Sequence, residues 1–260
     1  MTTVASPDGT LLNVEIEGPE QAPAVLFAHS VGCDLTLWDA QAAALRDRFR
    51  VIRYDARGHG RSGAPAGAYA IEQLADDALA VLDAAGVERA HLCGLSLGGT
   101  LGMWLALNRP YRLTSLVLAN TAARLGSAEG WQARIDSVRA GGTRSIADMS
   151  MTRFFSDRFR AEMPEVVERF RQGLIATADD GFAGCCAVLR DCDFSAVLNG
   201  IATPTLVICG QTDLPTPPSD SEILVCGIAG ARLVLLDAGH LSAVEAPQAF
   251  SAAILAHFAG

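Results

Sequence analysis

His91-Leu92-Cys93-Gly94-Leu95-Ser96-Leu97-Gly98-Gly99-Thr100-Leu101-Gly102-Met103-Trp104-Leu105-Ala106-Leu107-Asn108 is the stretch whose reading decides the architecture. His91–Leu95 is a mostly apolar run, the signature of a strand covered by helices on both sides of a parallel sheet. Gly98–Asn108 reads as a helix. Between them, Gly94-Leu95-Ser96-Leu97-Gly98 has the G-x-S-x-G form. A serine on a sharp strand-to-helix turn is lifted above the sheet edge, and small flanking residues let the backbone pass closely. The N-terminus of the next helix then places partial positive charge where an oxyanion develops. A phosphate-binding loop is the competing use of such a turn, but it needs a Lys after the glycines and none follows. Ser96 is therefore the candidate nucleophile.

Outward from this turn, short apolar runs alternate with helical patterns. Upstream, Ala24–Ala28 and Phe49–Tyr54 read as strands, with helices over Leu37–Leu45 and Ile71–Ala85. Leu74, Ala78, Val81, Leu82 and Ala85 recur at helical spacing, and Gly86 follows as a stop. Downstream, Leu113–Ala119, Thr205–Gly210 and Arg232–Asp237 read as strands, and Pro247–Phe258 as a closing helix with Pro in its first turn. Alternating strand and helix implies a doubly wound, mostly parallel α/β sheet. A turn at Pro7-Asp8-Gly9, followed by alternating Leu12, Val14 and Ile16, adds an antiparallel entry strand. From about Thr121 to Asn199 the rhythm breaks. No buried strand is evident there, only amphipathic helical patterns and loop signals such as Gly141-Gly142. This is an insertion within a single domain over residues 1–260, most simply a helical cap.

A serine hydroxyl is a poor nucleophile without an adjacent base. Of the five histidines, His91 lies inside a strand and His257 late in the final helix. His240 follows the last strand in the loop Ala238-Gly239-His240, at a sheet edge of the kind that carries function in α/β folds. It also lies C-terminal to the other candidates, as the order Ser, Asp, His requires. The acid should follow the preceding strand. Asp213, in Gly210-Gln211-Thr212-Asp213, fits ahead of Asp220 and Glu222, which lie further into the segment. It would hold the His240 tautomer and stabilise the imidazolium. An oxyanion hole needs two backbone N–H groups. Leu97, directly after the nucleophile, supplies one. Val31, in His29-Ser30-Val31-Gly32, supplies the other, with Ser30 as runner-up. Asp55-Ala56-Arg57-Gly58-His59-Gly60-Arg61-Ser62 looks rich in catalytic residues, yet reads as structural. Its glycines permit positive φ, and Asp55 and Arg57 brace the connection through charge-assisted hydrogen bonds.

Composition narrows the function class. Half of the 260 residues are hydrophobic and 19% are charged, so the chain can bury a sizeable core and is not of the disordered class. The net charge of −9 comes without a basic cluster, which argues against a nucleic-acid groove. No run of about 18 apolar residues exists, so no membrane span is expected. The start of the chain lacks a basic region followed by an apolar run, and the seven scattered cysteines lack CxxC spacing. Both point to reduced thiols in a cytoplasm. Cys185–Cys186 reads as two helix residues rather than a redox or metal site.

Three segments carry a resemblance. Arg53–Gly60, Cys93–Gly99 and Asn120-Thr121-Ala122-Ala123-Arg124-Leu125-Gly126-Ser127 resemble the 3-oxoadipate enol-lactonases of the α/β-hydrolase superfamily, over nearly the whole chain from Gly9 to Phe258. The first two motifs specify only the superfamily; the third, followed by Trp131, is more particular. The chain departs from the pattern at His29-Ser30-Val31-Gly32 and in the proline-rich Leu214–Pro218. The resemblance implies an α/β-hydrolase fold and hydrolysis of 3-oxoadipate enol-lactone to 3-oxoadipate in breakdown of aromatic compounds. It also implies no cofactor or metal, and a triad matching Ser96, Asp213 and His240.

Such a substrate carries a carboxymethyl group, whose buried carboxylate needs a charged partner. Against a negative global charge, that partner must be local. Arg124 and Arg134, with Trp131 as an apolar wall, are the candidates, and the three-residue spacing of Trp131 and Arg134 puts them on one helix face. Each has a plain structural use as well, as a solvated helix arginine or a packing tryptophan. Two other functions use the same residues. One is a general carboxylesterase or cofactor-free perhydrolase; the other is a ligand-binding relic without turnover, against which the intact triad argues. The sequence leaves the oligomeric state open.

Overall fold

The computed structural model describes residues 2–259. Eight strands form one sheet: β1 (Thr2–Ala5), β2 (Leu11–Glu17), β3 (Ala24–Ala28), β4 (Arg50–Tyr54), β5 (Ala90–Leu95), β6 (Leu113–Ala119), β7 (Thr205–Gly210) and β8 (Arg232–Leu236). They lie in the order β1-β2-β4-β3-β5-β6-β7-β8. β1 and β2 form an antiparallel hairpin and β2 runs antiparallel to β4; every later pairing is parallel. β3, β5 and β7 are buried along their whole length, as the apolar runs required. β1 is the strand the sequence reading missed: most of its residues are exposed, so it carries no apolar pattern.

Outside the insertion, the helices are α1 (Asp39–Leu45), α2 (Ile71–Ala84) and α3 (Leu97–Asn108). The insertion between β6 and β7 contains α4 (Ala128–Gly141), α5 (Ala147–Phe154), α6 (Asp157–Glu162), α7 (Pro164–Ala176) and α8 (Asp179–Asp191), with no strand among its residues. α9 (Pro218–Gly227), α10 (Ser242–Glu245) and α11 (Pro247–Phe258) complete the chain. The helix expected from Leu37 opens instead as a short 3-10 turn at Leu35–Trp38, because the Asp34 side chain caps it at the Thr36 N–H. The segment before α9 read only as proline-rich. Pro218 in fact sits in the first turn of α9, where its missing N–H costs nothing.

The sheet order reverses direction at β3, which lies between β4 and β5. In open α/β sheets, ligands bind beyond the C-terminal ends of the strands at such a switch point. Here that point faces two loops: Ser30–Gly32 after β3, and Ser96 after β5.

The loop Asp55–Ser62 is structural, as expected, and it braces this corner. Arg57 is almost fully buried and pairs with Asp77 (2.7 Å) and Asp8 (2.8 Å). Asp55 accepts hydrogen bonds from the Leu35 N–H (2.8 Å), the Arg61 N–H (2.9 Å) and Asn13 Nδ2 (2.9 Å). α8 rests on the same loop. Gly58 takes φ +78°, and a Cβ there would stand 2.2 Å from Gly181 Cα. Only two glycines allow the cap helix to lie this close.

All seven cysteines are unpaired, and Cys185 and Cys186 are buried within α8. Among the described residues, no helix is long and apolar enough to cross a membrane.

Candidate active site

Ser96 sits between β5 and α3 with φ 58° and ψ −110°, a conformation that a non-glycine residue adopts only at a cost of about 1–3 kcal/mol. The surroundings impose it. A Cβ on Gly98 would stand 2.1 Å from the Ala28 carbonyl oxygen, and one on Gly94 would stand 2.1 Å from the Gly98 carbonyl oxygen. The Ser96 N–H donates to Ala119 O (2.9 Å), while its carbonyl accepts from the Thr100 N–H (3.0 Å) and from Thr121 Oγ1 (3.0 Å). The backbone is thus tied on both sides, and the hydroxyl takes no part in these bonds. Ser96 lines a cavity of about 230 Å³ shared with Ser30, Val31, Trp131, Arg134 and His240.

His240 and Asp213 are both buried. His240 Nδ1 lies 3.0 Å from each carboxylate oxygen of Asp213, so the proton on Nδ1 faces the acid and Nε2 is left free. Phe154 of α5 stacks on the imidazole, with centroids 6.0 Å apart and planes 25° apart. Asp213 also accepts from Asn120 Nδ2 (2.9 Å), the Thr216 N–H (2.9 Å) and Thr216 Oγ1 (2.7 Å). Burial works to raise the Asp213 pKa. The His240 imidazole and the Asn120 and Thr216 donors outweigh it, and the carboxyl is held below its ordinary range.

Asn120 and Thr216 escaped the sequence reading as site residues. Asn120 ends β6 at φ 45°, a left-handed conformation that Asn tolerates better than most residues. Its N–H donates to Ile208 O (2.8 Å), its Nδ2 also reaches Gly239 O (3.3 Å), and its Oδ1 accepts from Ser242 Oγ. One buried side chain therefore joins the ends of three strands. The available signal was a polar residue at the end of an apolar strand, aligned with the nucleophile turn. For Thr216 it was a hydroxyl three residues past the acid.

The Val31 N–H makes no hydrogen bond within the described residues, and the Leu97 N–H heads α3, where the helix offers no acceptor. Two buried histidines hold the Val31 loop. His59 Nε2 accepts the Gly32 N–H (2.9 Å), and His29 Nε2 accepts the Ala56 N–H (2.9 Å). Both rings carry their proton on Nδ1, donating to Arg57 O (3.1 Å) and Ser30 O (2.8 Å). Burial, aided by the neighbouring His29, lowers the His59 pKa to about 3.

The cap supplies the opposite wall. Trp131 and Arg134 of α4 both line the cavity; the guanidinium lies over the indole at 4.8 Å, and the indole N–H donates to Leu125 O. Arg124 is not in this wall. It is exposed and pairs with Asp193 at 3.5 Å, because the turn at Gly126 separates it from α4 and sends it outward. In its place the structure brings in Arg153 of α5, which lines the cavity with Arg134. Asp220 and Glu222, the alternative acids, sit on α9, and the carboxylate that meets His240 is that of Asp213. A wider groove of about 580 Å³ runs between α6–α7 and the Ala243–Pro247 segment; among the described residues its lining includes Thr36, Asp39, Glu162 and Glu245 but no Ser, Cys or His. Among the described residues, no three His, Cys, Asp or Glu side chains converge as a metal cage would need.

Comparisons with known proteins give the chain its family. The family model for the alpha/beta hydrolase fold matches residues 23–247. The chain is 41% identical over 243 residues to 3-oxoadipate enol-lactonase 2 of Acinetobacter baylyi, covering 94% of this chain and 91% of that one. An enol-lactonase structure from Burkholderia xenovorans superposes with a TM-score of 0.97 at 39% identity, covering 100% of both chains. The structure of a hydrolase from Pseudomonas aeruginosa superposes with a TM-score of 0.96 at 45% identity, covering 100% of this chain and 98% of that one.

Proposed function

Because the chain belongs to the α/β-hydrolase fold family, and within it to the 3-oxoadipate enol-lactonases, we propose that it opens 3-oxoadipate enol-lactone to 3-oxoadipate. The observation that carries this reading is the meeting of Ser96, His240 and an unpaired Arg134 in one small cavity. A volume of about 230 Å³ suits a compact lactone better than the drug-sized ligands that fill roughly 300–1,000 Å³.

The chemistry follows from the side chains. Ser96 Oγ attacks the lactone carbonyl while His240 Nε2 takes its proton. The oxyanion that forms is held by the Val31 and Leu97 N–H groups, and Asp213 stabilises the imidazolium. The ring C–O bond breaks, and the departing enol oxygen receives the proton from His240. The enol tautomerises to a ketone, which removes the nucleophile that would close the ring again. A water molecule then attacks the acyl-enzyme, gives its proton to His240, and releases the acid as Ser96 recovers the proton. Trp131 forms an apolar wall, and Arg134 holds the carboxymethyl carboxylate. No cofactor or metal takes part in these steps. The five helices between β6 and β7 act as a cap over a single domain. The seven unpaired cysteines support a place in a reducing cytoplasm.

The test is a panel of lactones and esters with the purified protein. The enol-lactone should have the highest kcat/KM. A clear preference for neutral esters would transfer the assignment to a general carboxylesterase, and failure to react with a fluorophosphonate at Ser96 would leave only a binding relic.

A further inference from the structure

Two guanidinium groups, not one, enter the cavity. Arg134 comes from α4 and Arg153 from α5, and both are half-buried. Among the described residues neither makes a hydrogen bond or an ion pair, and Arg134 lies over the face of Trp131. The two arginines that the fold buries fully are committed. Arg57 holds Asp77 and Asp8, and Arg53 holds Glu15, Glu17 and Asp39. Burial disfavours the charged form of Arg134, and the Arg153 charge works in the same direction. A protein with net charge −9 that leaves two cations unneutralised beside its nucleophile has reserved them for an anion.

The segment that carries Arg153 is also anchored. The next residue, Phe154, stacks on His240, and its carbonyl accepts the Leu241 N–H at 2.9 Å. Just beyond it, Ser156 donates its N–H and its hydroxyl to Glu245 at 2.8 and 2.6 Å. The backbone that carries Arg153 is thereby bound to the loop that carries His240, so the stem of this side chain and the base move together.

We propose that Arg153 is a second carboxylate-binding, specificity-determining residue, and that with Arg134 it gives the enzyme a further activity: hydrolysis of half-esters of linear dicarboxylic acids. This rests on the lactonase reading at one point. The acyl-enzyme formed from the enol-lactone is an open six-carbon chain, esterified to Ser96 at one end and bearing a free carboxylate at the other. A half-ester of a six-carbon diacid gives an acyl-enzyme of the same length and charge. Ser96 displaces the alcohol, which leaves with the proton from His240, and water releases the diacid. In both reactions the distant carboxylate meets the same two cations.

The experiment compares p-nitrophenyl hydrogen adipate with p-nitrophenyl hexanoate, which has equal length and no charge. The wild type should prefer the charged ester at least tenfold in kcat/KM. In Arg153→Gln that ratio should fall at least tenfold, mainly through KM, and Arg153→Lys should recover part of it. Because the readout is a ratio, a general loss of folded protein cancels. Adipate should inhibit the wild type more strongly than hexanoate does, and Arg153→Gln should remove the difference. Equal rates on the two esters in the wild type, or an unchanged ratio in Arg153→Gln, would overturn the proposal. Activity on the enol-lactone separates the two readings. A wild type that prefers the half-ester but leaves the lactone intact refutes the lactonase assignment alone, whereas one that opens the lactone without preferring the half-ester refutes this inference alone.

Discussion

The sheet edge and the cap wall face each other across one cavity and are built on opposite terms. At the edge, the groups that position the reacting atoms are satisfied by the protein itself, and among the described residues only the Ser96 hydroxyl, His240 Nε2 and the Val31 and Leu97 N–H groups stay open. Asp213 accepts from His240, Asn120 and Thr216, the Ser96 backbone is tied to Ala119, Thr100 and Thr121, and His59 takes up the Gly32 N–H. At the wall, Arg134 and Arg153 are half-buried without a counter-ion among the described residues. Groups that must hold a geometry through a reaction are locked by neighbours before substrate arrives, which is what electrostatic preorganisation requires. On the function proposed above, the groups that select a substrate are the ones left unmatched, so that only the right ligand completes them.

The comparison breaks first at the triad. Ser96→Ala and His240→Ala should fold normally and lose on the order of 10⁴-fold or more in kcat, with a smaller loss for Asp213→Asn. Combined substitutions should not add, because the three groups act as one unit. Substantial turnover by Ser96→Ala would show that the edge is not where the chemistry happens.

On the wall, the effect should be smaller and selective. Removing the Arg134 guanidinium by Arg134→Ala should cost the anionic lactone about 1.5–3 kcal/mol of transition-state stabilisation, the usual worth of a charged hydrogen bond. The ratio of kcat/KM for the lactone to that for p-nitrophenyl acetate should fall accordingly. If both substrates lose equally, Arg134 is a packing residue on Trp131 and the contrast between edge and wall is lost.

The supports of Asp213 come next. Asn120→Ala and Thr216→Val each remove a donor to a buried carboxylate, which costs about 1–3 kcal/mol. Because these groups act through Asp213 and His240, the loss should appear in kcat for charged and neutral substrates alike. A variant that changes KM for the lactone alone would place the residue in substrate binding.

The edge was far more legible in the sequence than the wall. Ser96 and His240 announce themselves because chain order, strand ends and a strained turn all constrain them, and each constraint leaves a mark in local sequence. The same local marks gave β3 and β7 their observed bounds. Asn120 and Thr216 left fainter marks, since what defines them is a meeting with Asp213 across 93 and 3 residues of chain. The wall is the least legible. Arg124 and Arg134 look alike as cap arginines, and only the turn at Gly126 sends one out to Asp193 and the other in. Arg153 lies 19 positions further on, and no periodicity links it to Arg134; packing of α5 against the His240 loop does.

The smallest effect expected concerns the cost of locking the edge. His59 is buried and neutral so that Nε2 can accept the Gly32 N–H, and its pKa falls to about 3 from an ordinary 6.5. Between those values the unfolded chain binds a proton that the folded chain refuses. Stability is therefore complete above pH 6.5 and declines as pH drops through this window. One pH unit below 6.5, the decline from His59 should be about 1.4 kcal/mol. His91, whose pKa burial lowers to about 4, adds a decline of the same sign. His59→Gln keeps an acceptor for Gly32 but cannot take up the proton. Urea unfolding at pH 7.5 and 5.5 should then show a smaller drop in stability for His59→Gln than for the wild type, even if the variant is less stable at both. An equal drop in the two proteins would mean that His59 is not the group refusing the proton. Arg134→Ala and Arg153→Gln should leave the pH-dependent drop as it is in the wild type, because arginine stays charged throughout this range.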